Sequence, residues 1–131
     1  MTGEVLLDTS VVVAHLRGDE AVTARLLEND VIFVPAIAVG ELCYGALKAV
    51  VPDEAMGKVE GFLAAVTILD ADRLTAFWYG RIKKGLADQG TPIPENDIWI
   101  AAVAAQHGLP LAHRDTHFGR IQADGPVLLA W

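Results

Sequence analysis

A single cysteine, Cys43, rules out an internal disulfide in this 131-residue chain. A reducing cytoplasm is the expected setting, and Cys43 reads as a small core filler rather than a nucleophile. Long apolar runs are also missing. The longest nearly unbroken one, Val31 to Val39, contains Pro35 and falls far short of the ~20 residues a membrane helix needs. Met1-Thr-Gly-Glu-Val5 has no basic stretch ahead of an apolar one, which argues against a secretory signal. There is no internal repeat and no long polar or low-complexity segment, so a solenoid or a disordered chain is not expected. Basic residues are scarce: ten Lys and Arg face 17 Asp and Glu, a net charge of −7. This balance argues against a high-affinity, general nucleic-acid binder, because phosphate binding rests on Lys and Arg. It suits a protein that captures divalent cations or pairs with a basic partner. Two local basic groups remain, Arg81 with Lys83 and Lys84, and Arg114 with Arg120 on either side of Asp115. No Ser-His-Asp order, glycine-rich phosphate loop, G-x-G-x-x-G or C-x-x-C is present.

What is present is material for one core. Hydrophobic residues make up 53% of the chain, enough for a single domain over residues 1–131. Short apolar strands are expected at 4–8, 31–34, 66–69, 109–112 and 127–130. Helices are expected at 11–16, 20–28, 38–49, 53–65 and 72–88, and from Asn96 or Asp97, as cap, to His107, stopped by Gly108. In the longest, Leu74, Trp78, Ile82 and Leu86 share one face, as core or partner surface. Alternating strands and helices predict an α/β fold with a central, mostly parallel sheet covered on both faces. In such a fold a site lies beyond the carboxyl ends of the strands.

Four carboxylates stand next to apolar segments. Asp8 closes Val5-Leu6-Leu7, Glu41 follows Val31–Gly40, Asp97 opens Ile98–Ala105, and Asp115 comes just after Leu109–Ala112. A carboxylate beside buried structure is costly without a compensating partner, and few bases lie near these in sequence. Three or four hard oxygen ligands, with no Cys or His pair, suit Mg²⁺ or Mn²⁺ better than zinc. Such an ion activates water and stabilises charge on a phosphodiester in hydrolysis.

The blocks Leu6-Leu7-Asp8-Thr9-Ser10-Val11-Val12, Ala38-Val39-Gly40-Glu41-Leu42, Asn96-Asp97-Ile98-Trp99-Ile100-Ala101-Ala102 and Arg114-Asp115-Thr116-His117-Phe118 resemble a PIN-domain ribonuclease. Within that family the chain is most similar to VapC toxins of bacterial toxin–antitoxin pairs. The likeness covers essentially the whole chain, in order. It implies a three-layer PIN-like α/β/α sandwich and an Mg²⁺- or Mn²⁺-dependent endoribonuclease. It also implies a cognate VapB-like antitoxin whose tail lies across the groove, and a toxin homodimer. On this resemblance Asp8, Glu41, Asp97 and Asp115 form the catalytic metal cluster, with Asp8 and Asp97 as direct ligands. Glu41 binds metal or its water, or helps to deprotonate that water. Asp115 holds water or completes a second metal position. Ser10 and Arg114 are the candidates for substrate contact.

One departure is His113, which stands where relatives often carry Thr or Ser. An imidazole there replaces the hydroxyl's hydrogen bond or alters metal preference and pH response. His15, His107 and His117 read as helix-surface or loop residues. The His113 departure and low basic content keep a second reading open, a catalytically weak or inactive PIN domain acting by RNA or protein binding. A third, an aspartyl-phosphate phosphohydrolase, is disfavoured because Ser10 occupies the position of its second Asp. An apolar groove for an antitoxin helix is sought on Val11, Val12, Ala14 and Leu16 with Ala21, Leu26 and Leu27. A dimer face is sought near Trp78 and Tyr79, and RNA phosphate contacts at Arg81 or Lys84.

Overall fold

The computed structural model describes residues 3–131; the first two residues of the N-terminal stretch read above lie outside them. Five strands form one sheet: β1 (Glu4–Leu7), β2 (Val31–Pro35), β3 (Thr67–Leu69), β4 (Leu111–His113) and β5 (Leu128–Ala130). Their order is β3-β2-β1-β4-β5, and every pairing is parallel. Six α-helices flank it: α1 (Thr9–Leu16), α2 (Glu20–Leu27), α3 (Ala36–Leu47), α4 (Pro52–Leu63), α5 (Arg73–Gln89) and α6 (Glu95–His107). The expected α/β sandwich is present. No helix among the described residues is long and apolar enough to cross a membrane.

Central strands β1 and β4 are buried because helices cover both faces. Val5, Leu6, Leu7, Leu111 and Ala112 are all 0% exposed. The edge strand β3 departs from the expectation of a sheet covered on both faces. Thr67 and Ile68 are exposed, since β3 pairs on one side only. Helix α6 is apolar almost all round, with Ile98 and Ile100 to Ala104 buried, as a helix in the middle of a core must be. Its alanines give it a slim body. Gly108, at φ 63°, takes the left-handed conformation that ends α6 and turns the chain towards β4.

Several boundaries differ from the sequence expectation. Asp8 and Pro35 are the N-cap residues of α1 and α3, so both helices begin earlier than read and Glu41 sits in mid-helix. Pro94, not Asn96 or Asp97, is the N-cap of α6, and Asp97 lies in its first turn. There its charge meets the positive end of the helix. On α5, Ile82 and Leu86 are buried and Trp78 is half-buried, but Leu74 is 58% exposed. Thr75 takes the inward place at the start of that helix. It completes a capping box with Asp72 and hydrogen-bonds Gln106 of α6. Cys43 is only half-buried.

Val11, Val12 and Leu26 belong to the core and are unavailable to a partner, whereas Ala21 and Leu27 are exposed. Tyr79 stacks on Trp99, with ring centroids 4.1 Å apart. The expected basic cluster is largely neutralised: Lys83 pairs with Glu95 and Lys84 with Asp88, both at 2.6 Å. Arg81 lies over the Trp78 ring.

Candidate active site

The sheet order reverses direction between β1 and β4, both of which leave the sheet at the same edge. That crevice is where open parallel sheets bind ligands. Asp8 follows β1, and its backbone N–H donates to the Ala112 carbonyl at 2.9 Å, locking it beside the end of β4. Asp115 follows β4, at the N-cap of a short 3-10 helix, Thr116–Arg120. Glu41 comes from mid-α3 and Asp97 from the first turn of α6. All four line one cleft of about 1200 Å³, together with Ser10 and Arg114.

Each inner carboxylate is held by a neighbour. Ser10 Oγ donates to Asp8 Oδ2 at 2.6 Å, and Thr9 Oγ1 donates to Glu41 Oε1 at 2.8 Å. His117 Nε2 lies 2.5 Å from Asp97 Oδ2. Asp8 is 1% exposed and Asp97 9%. Burial raises the Asp8 carboxyl above its ordinary range, the Ser10 hydrogen bond opposes the rise, and the Asp115 charge adds to it. Asp97 is pushed up to about 6, by burial first and then by the charge on Asp8, with His117 pulling the other way and Glu41 adding a little.

Six carboxylates line the cleft: Asp8, Asp19, Glu41, Glu95, Asp97 and Asp115. Arg114 takes Asp19 at 3.4 Å and Lys83 takes Glu95. Among the described residues, the four without a Lys or Arg partner are the four that the sequence singled out. A crowded carboxylate set, with Asp8 and Asp97 buried, Glu41 half-buried and Asp115 exposed, and with neither lysine nor arginine paired to it, is the donor chemistry of a hard divalent cation. The residues present therefore fit one.

The tightest grouping is Asp97, Asp115 and His117, which bring one potential donor atom each to within 4.8 Å of one another. Asp8 and Glu41 line the same cleft outside that trio. His117 is thus a site residue rather than the surface or loop residue expected from sequence. Its signal was its position two residues beyond Asp115. Thr9 was equally visible in the Asp-Thr-Ser opening, but only the fold shows that it reaches Glu41.

His113 turns away from this chemistry. It is 8% exposed, and its Nδ1 meets the Asp115 backbone carbonyl at 2.9 Å. It braces the turn that carries Asp115. Arg114 hydrogen-bonds the Trp131 carbonyl at 3.2 Å as well as pairing with Asp19. His15 bonds Thr23 at 2.8 Å, and His107 is exposed at the end of α6.

Comparison with known proteins agrees with this geometry. The family model for the PIN domain matches residues 5–124. Ribonuclease VapC2 of Haemophilus influenzae is 40% identical over 108 residues, covering 81% of this chain and 82% of that one. The tRNA(fMet)-specific endonuclease VapC of Salmonella typhimurium is 33% identical over 106 residues, covering 79% and 80%. The crystal structure of DNA-bound VapBC from Salmonella typhimurium superposes with a TM-score of 0.88 at 30% identity, covering 98% of each chain. That of VapBC2 from Rickettsia felis, bound to a promoter DNA fragment, also gives 0.88, at 25% identity with 96% and 97% coverage. The chain belongs to the PIN-domain family of nucleases, in its VapC branch.

Proposed function

We propose that this protein is the endoribonuclease toxin of a toxin–antitoxin pair, using Mg²⁺ or Mn²⁺ and held in check by its own antitoxin. The observation that carries the reading is the cleft at the β1/β4 crevice, where four carboxylates have neither a lysine nor an arginine partner. Asp8, Asp97 and Asp115, with Glu41 beside them, would hold the cation. When bound, it supplies a Lewis acid that activates water and offsets charge on the phosphate oxygens.

The protein's own groups prepare that chemistry. Ser10 and His117 fix the orientations of the Asp8 and Asp97 carboxylates, so little reorganisation is needed at the moment of reaction. Thr9 holds one oxygen of Glu41, which lines the cleft, and the other oxygen is the candidate acceptor of the attacking water's proton. Arg114, at the cleft wall, is a candidate contact for an RNA phosphate; the Ser10 hydroxyl would serve as one only by giving up its bond to Asp8.

The relatives' names support the ribonuclease assignment, and toxin–antitoxin complexes among the structural neighbours support an antitoxin partner. Exposed Ala21 and Leu27 on α2 offer that partner apolar contacts. A homodimer of this chain completes the proposal. The alternative of an inactive RNA- or protein-binding domain loses its main motive, because His113 braces the backbone and leaves all four carboxylates in the cleft.

The test is cleavage of total RNA by purified, antitoxin-free protein with Mn²⁺, with Mg²⁺ and with chelator. Discrete fragments that require metal, and vanish in a folded Asp8→Asn variant, are expected. Intact RNA in every lane would overturn the proposal.

A further inference from the structure

A smaller depression of about 680 Å³ adjoins the acid cleft along α3, sharing Thr9, Glu41 and Asn96 with it. Glu41, Tyr44, Gly45 and Lys48 follow one another at i, i+3, i+4 and i+7, so they line one side of the helix end. Lys48 lies ~10 Å from Glu41 along the axis. The row therefore runs from the carboxylate cluster outward.

Tyr44 is 66% exposed, although an aromatic ring is among the side chains that gain most by burial. Lys48 Nζ sits 4.6 Å from the centre of that ring. Among the described residues no carboxylate lies within ion-pair distance of Lys48, whereas Lys83 and Lys84 are both taken. At Gly40 and Gly45 an added Cβ would meet nothing within 4 Å, so the face beside the ring is open to whatever approaches.

A nuclease of net charge −7 repels its own substrate except where local cations intervene. An exposed ring with an ammonium over it that has no carboxylate partner combines the two features with which proteins bind single-stranded nucleic acid. The ring stacks on a base of any identity, and the cation neutralises a phosphate. An apolar protein segment would gain nothing from the ammonium or from the adjoining carboxylate. We propose that this face of α3 is a substrate subsite. Tyr44 stacks on a base of single-stranded RNA flanking the scissile bond, and Lys48 contacts a neighbouring phosphate.

The inference rests on the ribonuclease reading, and one set of variants separates the two. Binding of a short, fluorescein-labelled single-stranded RNA of random sequence is followed by anisotropy with Mg²⁺ present. An Asp8→Asn background prevents cleavage. Tyr44→Ala should weaken binding about tenfold and Tyr44→Phe should restore it. Lys48→Gln should weaken binding and reduce the slope of log affinity against log salt by about 0.7. Circular dichroism melts confirm that these exposed-site variants fold. Unchanged affinity in Tyr44→Ala overturns the subsite. So does equal loss in Tyr44→Ala and Tyr44→Phe, which would make the hydroxyl the contact. Unchanged RNA binding with a split dimer or a lost antitoxin would make this face a protein interface instead. If total RNA stays uncut by the parent protein while the Tyr44 dependence persists, the ribonuclease reading fails and the subsite stands.

Discussion

Replacing Asp97 with Asn should end cleavage yet make the cation-free protein more stable. In the folded protein the Asp97 carboxyl is pushed up to about 6 from its ordinary 3.8, burial being the larger cause and the Asp8 charge the next. Between those two pH values the folded state binds more protons than the unfolded chain. Stability therefore falls as pH rises through that window, and the full penalty applies above it. At 1.36 kcal/mol per unit, the upper bound is about 3 kcal/mol. Because the cleft opens to water on one side, a net gain of about 1–3 kcal/mol is expected for Asp97→Asn near neutral pH. For a chain of this length that corresponds to a melting temperature higher by about 4 °C per kcal/mol. Urea titrations of both proteins in chelator, near pH 4 and at pH 7.5, measure it. The difference should be small at the lower pH and largest at the higher. Mn²⁺ should then reverse the order, because only the wild-type site gains stability by binding it tightly. A variant less stable than wild type at pH 7.5 in chelator would refute the reasoning. So would equal stabilisation of both proteins by Mn²⁺.

His117→Ala should weaken Mn²⁺ binding by at least about tenfold in calorimetry, since Asp97 loses the group that orients it and the site loses a potential nitrogen donor. Ser10→Ala should cost about 2 kcal/mol at neutral pH by urea titration, because nearly buried Asp8 loses a side-chain donor at 2.6 Å. Asp72→Ala should cost about 1 kcal/mol through the α5 capping box, with metal binding and RNA cleavage unchanged, which makes it the control for stability effects alone.

Much of the fold was legible because its signals are local. Period and apolar runs marked all five strands and six helices, and Gly108 marked the end of α6. The errors fell where a tertiary contact overrode the local rule. Leu74 kept the helical spacing of a core residue but is exposed, because Thr75 is the side chain that reaches α6. Asn96 and Asp97 are good cap residues, but Pro94 ends the extended segment and Asp97 is drawn into the first turn, facing the cleft. His113 looked like a change in the site and proved to be a backbone brace.

The sequence by itself determined the chemistry available. Four carboxylates beside apolar segments, with too few bases to neutralise them, make a donor set suited to a hard divalent cation, because burial makes unpaired acids expensive. Only the tertiary structure decided which groups meet. Parallel pairing of β1 with β4 brings Asp8 and Asp115 to one crevice although they are far apart in the chain. The packing of α3 and α6 then adds Glu41 and Asp97. The same packing enlisted Thr9 and His117, whereas the His113 side chain is held aside by the Asp115 carbonyl two residues on. The bonds of under 3 Å from Thr9 to Glu41 and between His117 and Asp97 depend on where separate elements dock, and no spacing along a single chain encodes that distance.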